Sequence, residues 1–73
     1  MSSPFMIALR GYDIKEVDGV LAQADEALAS GSESLRASAR EALQSAAFRT
    51  RLRGYDRREV DDAMRDRLNR LGR

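Results

Sequence analysis

Cysteine and histidine are both absent from the 73 residues. Without cysteine there are no disulfides and no thiolate metal sites. Without histidine the commonest general base and metal ligand is missing. No metal and no cofactor is therefore expected, and a non-enzymatic role is. Large core formers are also scarce: Leu, Ile, Val and Phe total 15, while Ala alone supplies 11. In a chain this short such a core is worth only a few kcal/mol. Self-association into a homodimer or higher oligomer is expected to help. No run approaches the roughly 20 apolar residues of a transmembrane helix, and the first residues lack the pattern of a signal peptide. The expected location is cytoplasmic, with peripheral contact at the inner face of the membrane left open.

Charge is abundant but unevenly placed. Residues 1–31 carry two basic and five acidic side chains, whereas residues 32–73 carry 11 arginines against seven acids. Arg outnumbers Lys by 12 to 1. A GC-rich coding bias is the plain cause, and it also accounts for the alanines.

A repeat organises the chain at an offset of 43 residues. Between Phe5–Leu21 and Phe48–Met64, nine of 17 aligned positions are identical. They include Phe5/Phe48, Leu9/Leu52, Arg10/Arg53, Gly11/Gly54, Tyr12/Tyr55 and Asp13/Asp56, followed by Glu16/Glu59, Val17/Val60 and Asp18/Asp61. One domain over residues 1–73 is expected, with the repeat spanning 5–28 and 48–71 and a linking helix over 32–47.

The repeated residues have a local reading. Asp13 stands three residues before Glu16, and Asp56 three before Glu59, which is capping-box spacing with Asp in the cap position. The acids suit the positive end of a helix. Helices are predicted from Ile14 to Ser30 and from Arg57 to Leu71. Gly11 and Gly54 precede each cap where the chain turns sharply, with positive φ as the expected reason for glycine. Tyr12 and Tyr55 are placed to staple onto the first turns near Val17 and Val60. The apolar stripes are Val17, Val20, Leu21, Ala24 and Leu28 in the first helix, and Val60, Met64, Leu68 and Leu71 in the last. Ser30-Gly31 stops the first helix, and Ser32 caps a middle one from Glu33 to Ala47 with Leu35, Ala39, Ala42, Leu43 and Ala46 inward. The expected fold is all-α: three short helices with two Arg-Gly-Tyr-Asp turns. Short connections make the first and third helices parallel, paired either within one chain or between two.

The segment Phe48–Arg53 alternates apolar and basic residues, which in extended chain puts Phe48, Thr50 and Leu52 on one face. A buried apolar edge is the plain reading. The basic patch formed by Arg49, Arg51, Arg57 and Arg58 is the alternative, a contact with anionic lipid or nucleic acid.

The string Phe-x-x-x-Leu-Arg-Gly-Tyr-Asp-x-x-Glu-Val-Asp, present in both copies, resembles the N-terminal domain of the DivIVA family of bacterial cell-division and polar-growth proteins. That domain is a parallel dimer whose crossed loops lead through the Arg-Gly-Tyr turn into a coiled coil. The resemblance implies that Leu9-Arg10 and Leu52-Arg53 occupy the family's membrane-contacting positions, where membrane-binding members place Phe before the Arg. A DivIVA-like relative instead binds Arg-containing tails of cell-wall enzymes, which would assign Asp13, Glu16 and Asp18 to an acidic groove. The family's long C-terminal coiled coil has no counterpart within these 73 residues. The implied function is a scaffolding module of cell division or envelope growth. It would act by oligomerisation and by docking a cell-division or cell-wall protein or the membrane. A small Arg-rich nucleic-acid binder is the alternative, with nucleic acid the less expected partner.

Overall fold

The computed structural model describes residues 4–72. Asp13 and Asp56 each accept a hydrogen bond from the amide three residues on, Glu16 and Glu59, both at 3.0 Å. These caps start α1 (Ile14–Ser30) and, after the intervening α2 (Glu33–Ser45), α3 (Arg57–Leu71). Gly31 ends α1 in the left-handed region at φ 70°, and the Ser32 side chain caps α2 through the Leu35 amide. α2 runs antiparallel to α3: its Arg36 and Arg40 guanidiniums donate to the carbonyls of Arg70 and Leu71 at the α3 C-terminus. There they occupy acceptors that the last helical turn leaves open.

α1 and α3 run parallel within one chain. The Tyr12 hydroxyl, just before α1, reaches Asp61 in the first turns of α3, and Asp25, further along α1, meets Arg67, further along α3. Val17 and Val60, related by the repeat, are both fully buried between them. Leu21, Ala24 and Ala27 of α1, Ala39 and Leu43 of α2, and Leu71 of α3 complete the helical part of the core.

The expectation of an all-α fold is corrected: the chain is mostly helical but also carries a small sheet. β1 (Ile7–Ala8), β2 (Gly11–Tyr12), β3 (Thr50–Arg51) and β4 (Gly54–Tyr55) pair antiparallel in the order β1-β4-β2-β3. Ile7 faces Tyr55, Gly11 faces Arg51, and Tyr12 faces both Thr50 and Tyr55. Every pairing joins one copy of the repeat to the other. Two-residue strands have no periodicity of their own, so sequence pattern alone does not reveal them.

Two expectations about the turns are also corrected. Gly11 and Gly54 do not adopt positive φ; among the described residues only Gly31 does. They are glycine because the two chain segments cross there. A Cβ on Gly54 would lie 2.6 Å from the Gly11 carbonyl carbon, backbone against backbone. Tyr12 and Tyr55 do not staple onto their own helices. Tyr12 packs on Phe48 with ring centroids 5.3 Å apart, and Tyr55 on Phe5 at 5.1 Å.

α2 stops at Ser45, two residues before its expected end, because Ala46 turns extended at ψ 133°. That turn delivers Phe48 to Tyr12. Leu35, expected inward, is exposed.

Candidate docking surface

The nine repeated identities divide by what they do in the crossing. Phe5 and Phe48 stack on the opposite copy's tyrosine. Gly11 and Gly54 permit the backbones to meet. The Tyr12 hydroxyl donates to Asp61 at 3.0 Å and the Tyr55 hydroxyl to Asp18 at 2.8 Å. The Asp13 amide donates to the Arg49 carbonyl, and the Asp56 amide to that of Met6. Glu16 accepts from the Arg49 amide and Glu59 from the Met6 amide, both at 2.8 Å. Only half of each capping box is thus local; the Glu half is exchanged between copies. Val17 and Val60 are core. Each of these contacts in one copy has its mirror at the offset of 43, so the crossing has a pseudo-twofold axis parallel to α1 and α3.

Two identities have no part in this. Leu9 is 82% exposed and Leu52 81%. Arg10 and Arg53 are exposed and form no ion pair or hydrogen bond with any described residue. Leu9-Arg10 is the bend between β1 and β2, and Leu52-Arg53 the bend between β3 and β4. The twofold axis sets both bends at one level, the end of the molecule opposite the C-termini of α1 and α3. Exposed Leu is costly to no one when solitary, but here two come in symmetric Leu-Arg pairs with Ile7 and Met6 also exposed nearby in sequence. The expected buried apolar edge is therefore corrected: of Phe48, Thr50 and Leu52, only Phe48 packs against the core.

Residues 5–18 and 48–61, which make the crossing, hold seven basic side chains against six acids. The six acids are occupied. Asp13 accepts from Arg51 Nε at 2.9 Å besides capping α1, and Glu16 lies 3.7 Å from Arg49 Nε. The cap amide first, and the Arg51 guanidinium second, hold the Asp13 carboxyl below the ordinary 3.8. The carboxylates expected to line an acidic groove, Asp13, Glu16 and Asp18, all accept bonds from the second copy.

The expected basic patch is split. Arg49 and Arg51 lie against the start of α1, tied to its acids. Arg57 and Arg58 lie in the first turn of α3, where they line a surface cleft of about 660 Å³ with Arg10, Ala8 and Arg65. Sequence reasoning grouped these arginines by proximity in the chain and missed Arg10 as their neighbour. The signal was present in the repeat: Ala8 stands where the second copy has Arg51.

Among the described residues no group of side chains is arranged to hold a metal ion, and no helix is long and apolar enough to cross a membrane. Compared with protein-family models, with curated proteins and with solved structures, the chain has no match.

Proposed function

We propose that this chain is a non-enzymatic docking module of the DivIVA type, acting as a scaffold in bacterial cell division or polar envelope growth. Its crossing end docks on an anionic membrane surface. The observation that carries this reading is the symmetric pair of exposed Leu-Arg bends, identical in both copies yet unused by the fold. Each Leu offers apolar surface to the interface. Each neighbouring arginine adds attraction of about 1 kcal/mol to an anionic leaflet, declining within a Debye length. The pairing of two motif copies in one chain supports the resemblance, since it reproduces the parallel pair that the family assembles from two chains. The scaffold role adds self-association and a protein partner to the lipid contact.

Co-sedimentation with phosphatidylcholine vesicles containing phosphatidylglycerol tests this. The wild-type chain binds, binding weakens steeply with salt, and the L9E/L52E variant stays in the supernatant. Equal binding of the variant and the wild type rejects the reading.

A further inference from the structure

The two bends differ in what surrounds them. Beside Leu9-Arg10 lies the cleft whose lining includes Tyr12, Arg10, Arg57 and Arg58. The three acids in its wall are engaged. Asp56 caps α3, Asp61 accepts the Tyr12 hydroxyl, and Asp62 pairs with Arg65 at 3.1 Å. Arg10, Arg57 and Arg58 have no such partner among the described residues. Three arginines from two separate chain segments therefore line one concavity without an ion-pair or hydrogen-bond partner among the described residues.

The equivalent place beside Leu52-Arg53 is built otherwise. Ile14 and Lys15 stand where α3 has Arg57 and Arg58. Arg51 stands at the position of Ala8 and folds across to Asp13. Ala8 has no side chain long enough to reach Asp56, so the cleft on its own side stays open.

We propose that this cleft is a phosphate-ester site: Arg10, Arg57 and Arg58 clamp one phosphate group, so that the two bends are inequivalent and only the Leu9-Arg10 side reads a headgroup. The inference deepens the membrane-docking reading and rests on it for the source of the phosphate. Guanidinium groups suit this ligand because their planar forks pair with phosphate oxygens through two donors at once. Lysine and isoleucine at the other bend provide no such fork. The phosphate comes either from a phospholipid headgroup or from a soluble ester, and the two arms of the test separate these sources.

The soluble arm titrates the ¹⁵N-labelled chain with glycerol phosphate and follows the amides of Ala8, Arg57 and Arg58 against those of Ile14, Lys15 and Arg51. Saturable shifts confined to the first group are expected. The A8R variant supplies the second copy's own closing residue, at a position where that residue is tolerated. It should abolish the saturable shifts. In the vesicle arm A8R should weaken binding about fivefold, the value of one lost basic contact, although it raises the net charge by one. The R57I/R58K variant should give the same losses, and circular dichroism shows whether each variant remains folded. Unsaturable shifts of equal size in both groups overturn the proposal, as does A8R binding phosphatidylglycerol vesicles as tightly as the wild type. L9E/L52E separates the two readings: it should lose vesicles yet keep the glycerol phosphate shifts. If wild type ignores vesicles but retains the shifts, the docking reading falls and the cleft is a site for a soluble ester. If vesicles bind through the bends and the shifts are absent, docking stands and the cleft proposal falls.

Discussion

From Phe5 to Asp18, and from Phe48 to Asp61, the two copies of the repeat share one set of ring, tyrosine and backbone contacts, each copy gripping the other, while the ion pairs of Arg49 and Arg51 have no counterpart at Met6 and Ala8; beyond those aspartates they part further. Ala24 and Ala27 are buried in α1, but the positions 43 residues on are Arg67 and Arg70. Asp25 is exposed, and its counterpart Leu68 packs against the core. The cause is α2. One helix cannot obey a twofold axis, so it covers one side of the α1–α3 pair and leaves the other open. On the covered side Leu43 and Ala46 share a cleft with Met64 and Leu68. On the open side Arg67 bridges to Asp25 at 3.1 Å. Identity between copies marks the symmetric crossing, and divergence marks what α2 touches or leaves to water.

The hardest blow to the symmetry is a methyl group at its centre. Gly11→Ala and Gly54→Ala each drive a Cβ into the opposite backbone, where no flexible side chain can move aside. Each should cost about 3 kcal/mol, the upper range for forced overpacking and a large share of what a domain this size possesses. Chemical denaturation of the two variants should give matching losses, since the positions are equivalent. Asn at either position discriminates the causes. It tolerates positive φ well, so rescue by Asn would restore a conformational reason, whereas steric crossing predicts that Asn fails as Ala does.

That glycine shows where the sequence was legible and where it was not. The caps, the two long helices and the Gly31 stop are local signals, read over three or four residues, and the structure reproduces Ile14–Ser30 and Arg57–Leu71. The partner of a glycine, a tyrosine or a Glu in the crossing lies 33 to 53 residues away in chain, and no spacing rule reaches that far. Each such residue therefore received a local role: φ for Gly11, a staple for Tyr12, a complete capping box for Glu16. The repeat itself held the correction, because identities such as Phe5, Gly11, Tyr12 and Asp18, which a single helix start does not need, imply a second partner. The exposed Leu-Arg bends were legible through the family resemblance, while the cleft beside Arg10 required the fold.

A milder perturbation compares the two tyrosines. Tyr55 is buried and Tyr12 half-buried, though each donates to an Asp of the other copy. Tyr55→Phe should cost about 1 kcal/mol, the usual net value of a hydrogen bond, and Tyr12→Phe less. Burial first, and then the facing aspartate, raise both phenols above 10.0 in the folded chain. A group with a raised folded pKa stabilises fully below its unfolded value and loses that contribution as pH climbs through the folded one. Stability should therefore decline above pH 10.0. Unfolding curves of Y12F/Y55F should lack the part of that alkaline decline due to these phenols; a variant that declines as steeply as wild type removes the tyrosines as its source.

The smallest expected effect on stability belongs to the bends. Leu9 and Leu52 touch no core residue in a way that shields them, so L9E/L52E should melt within about 0.5 kcal/mol of wild type, as surface changes do. The result sharpens the comparison between the copies more than any large loss. Seven of the nine identities have a structural reason that would keep them alike in any chain folding this way. If Leu9 and Leu52 contribute nothing to folding, the fold supplies no reason for their likeness or for the arginine that follows each. A shared external contact then has to supply it. Should L9E/L52E instead lower the melting temperature as the glycine variants do, the two leucines belong to the crossing and the docking surface loses its strongest support.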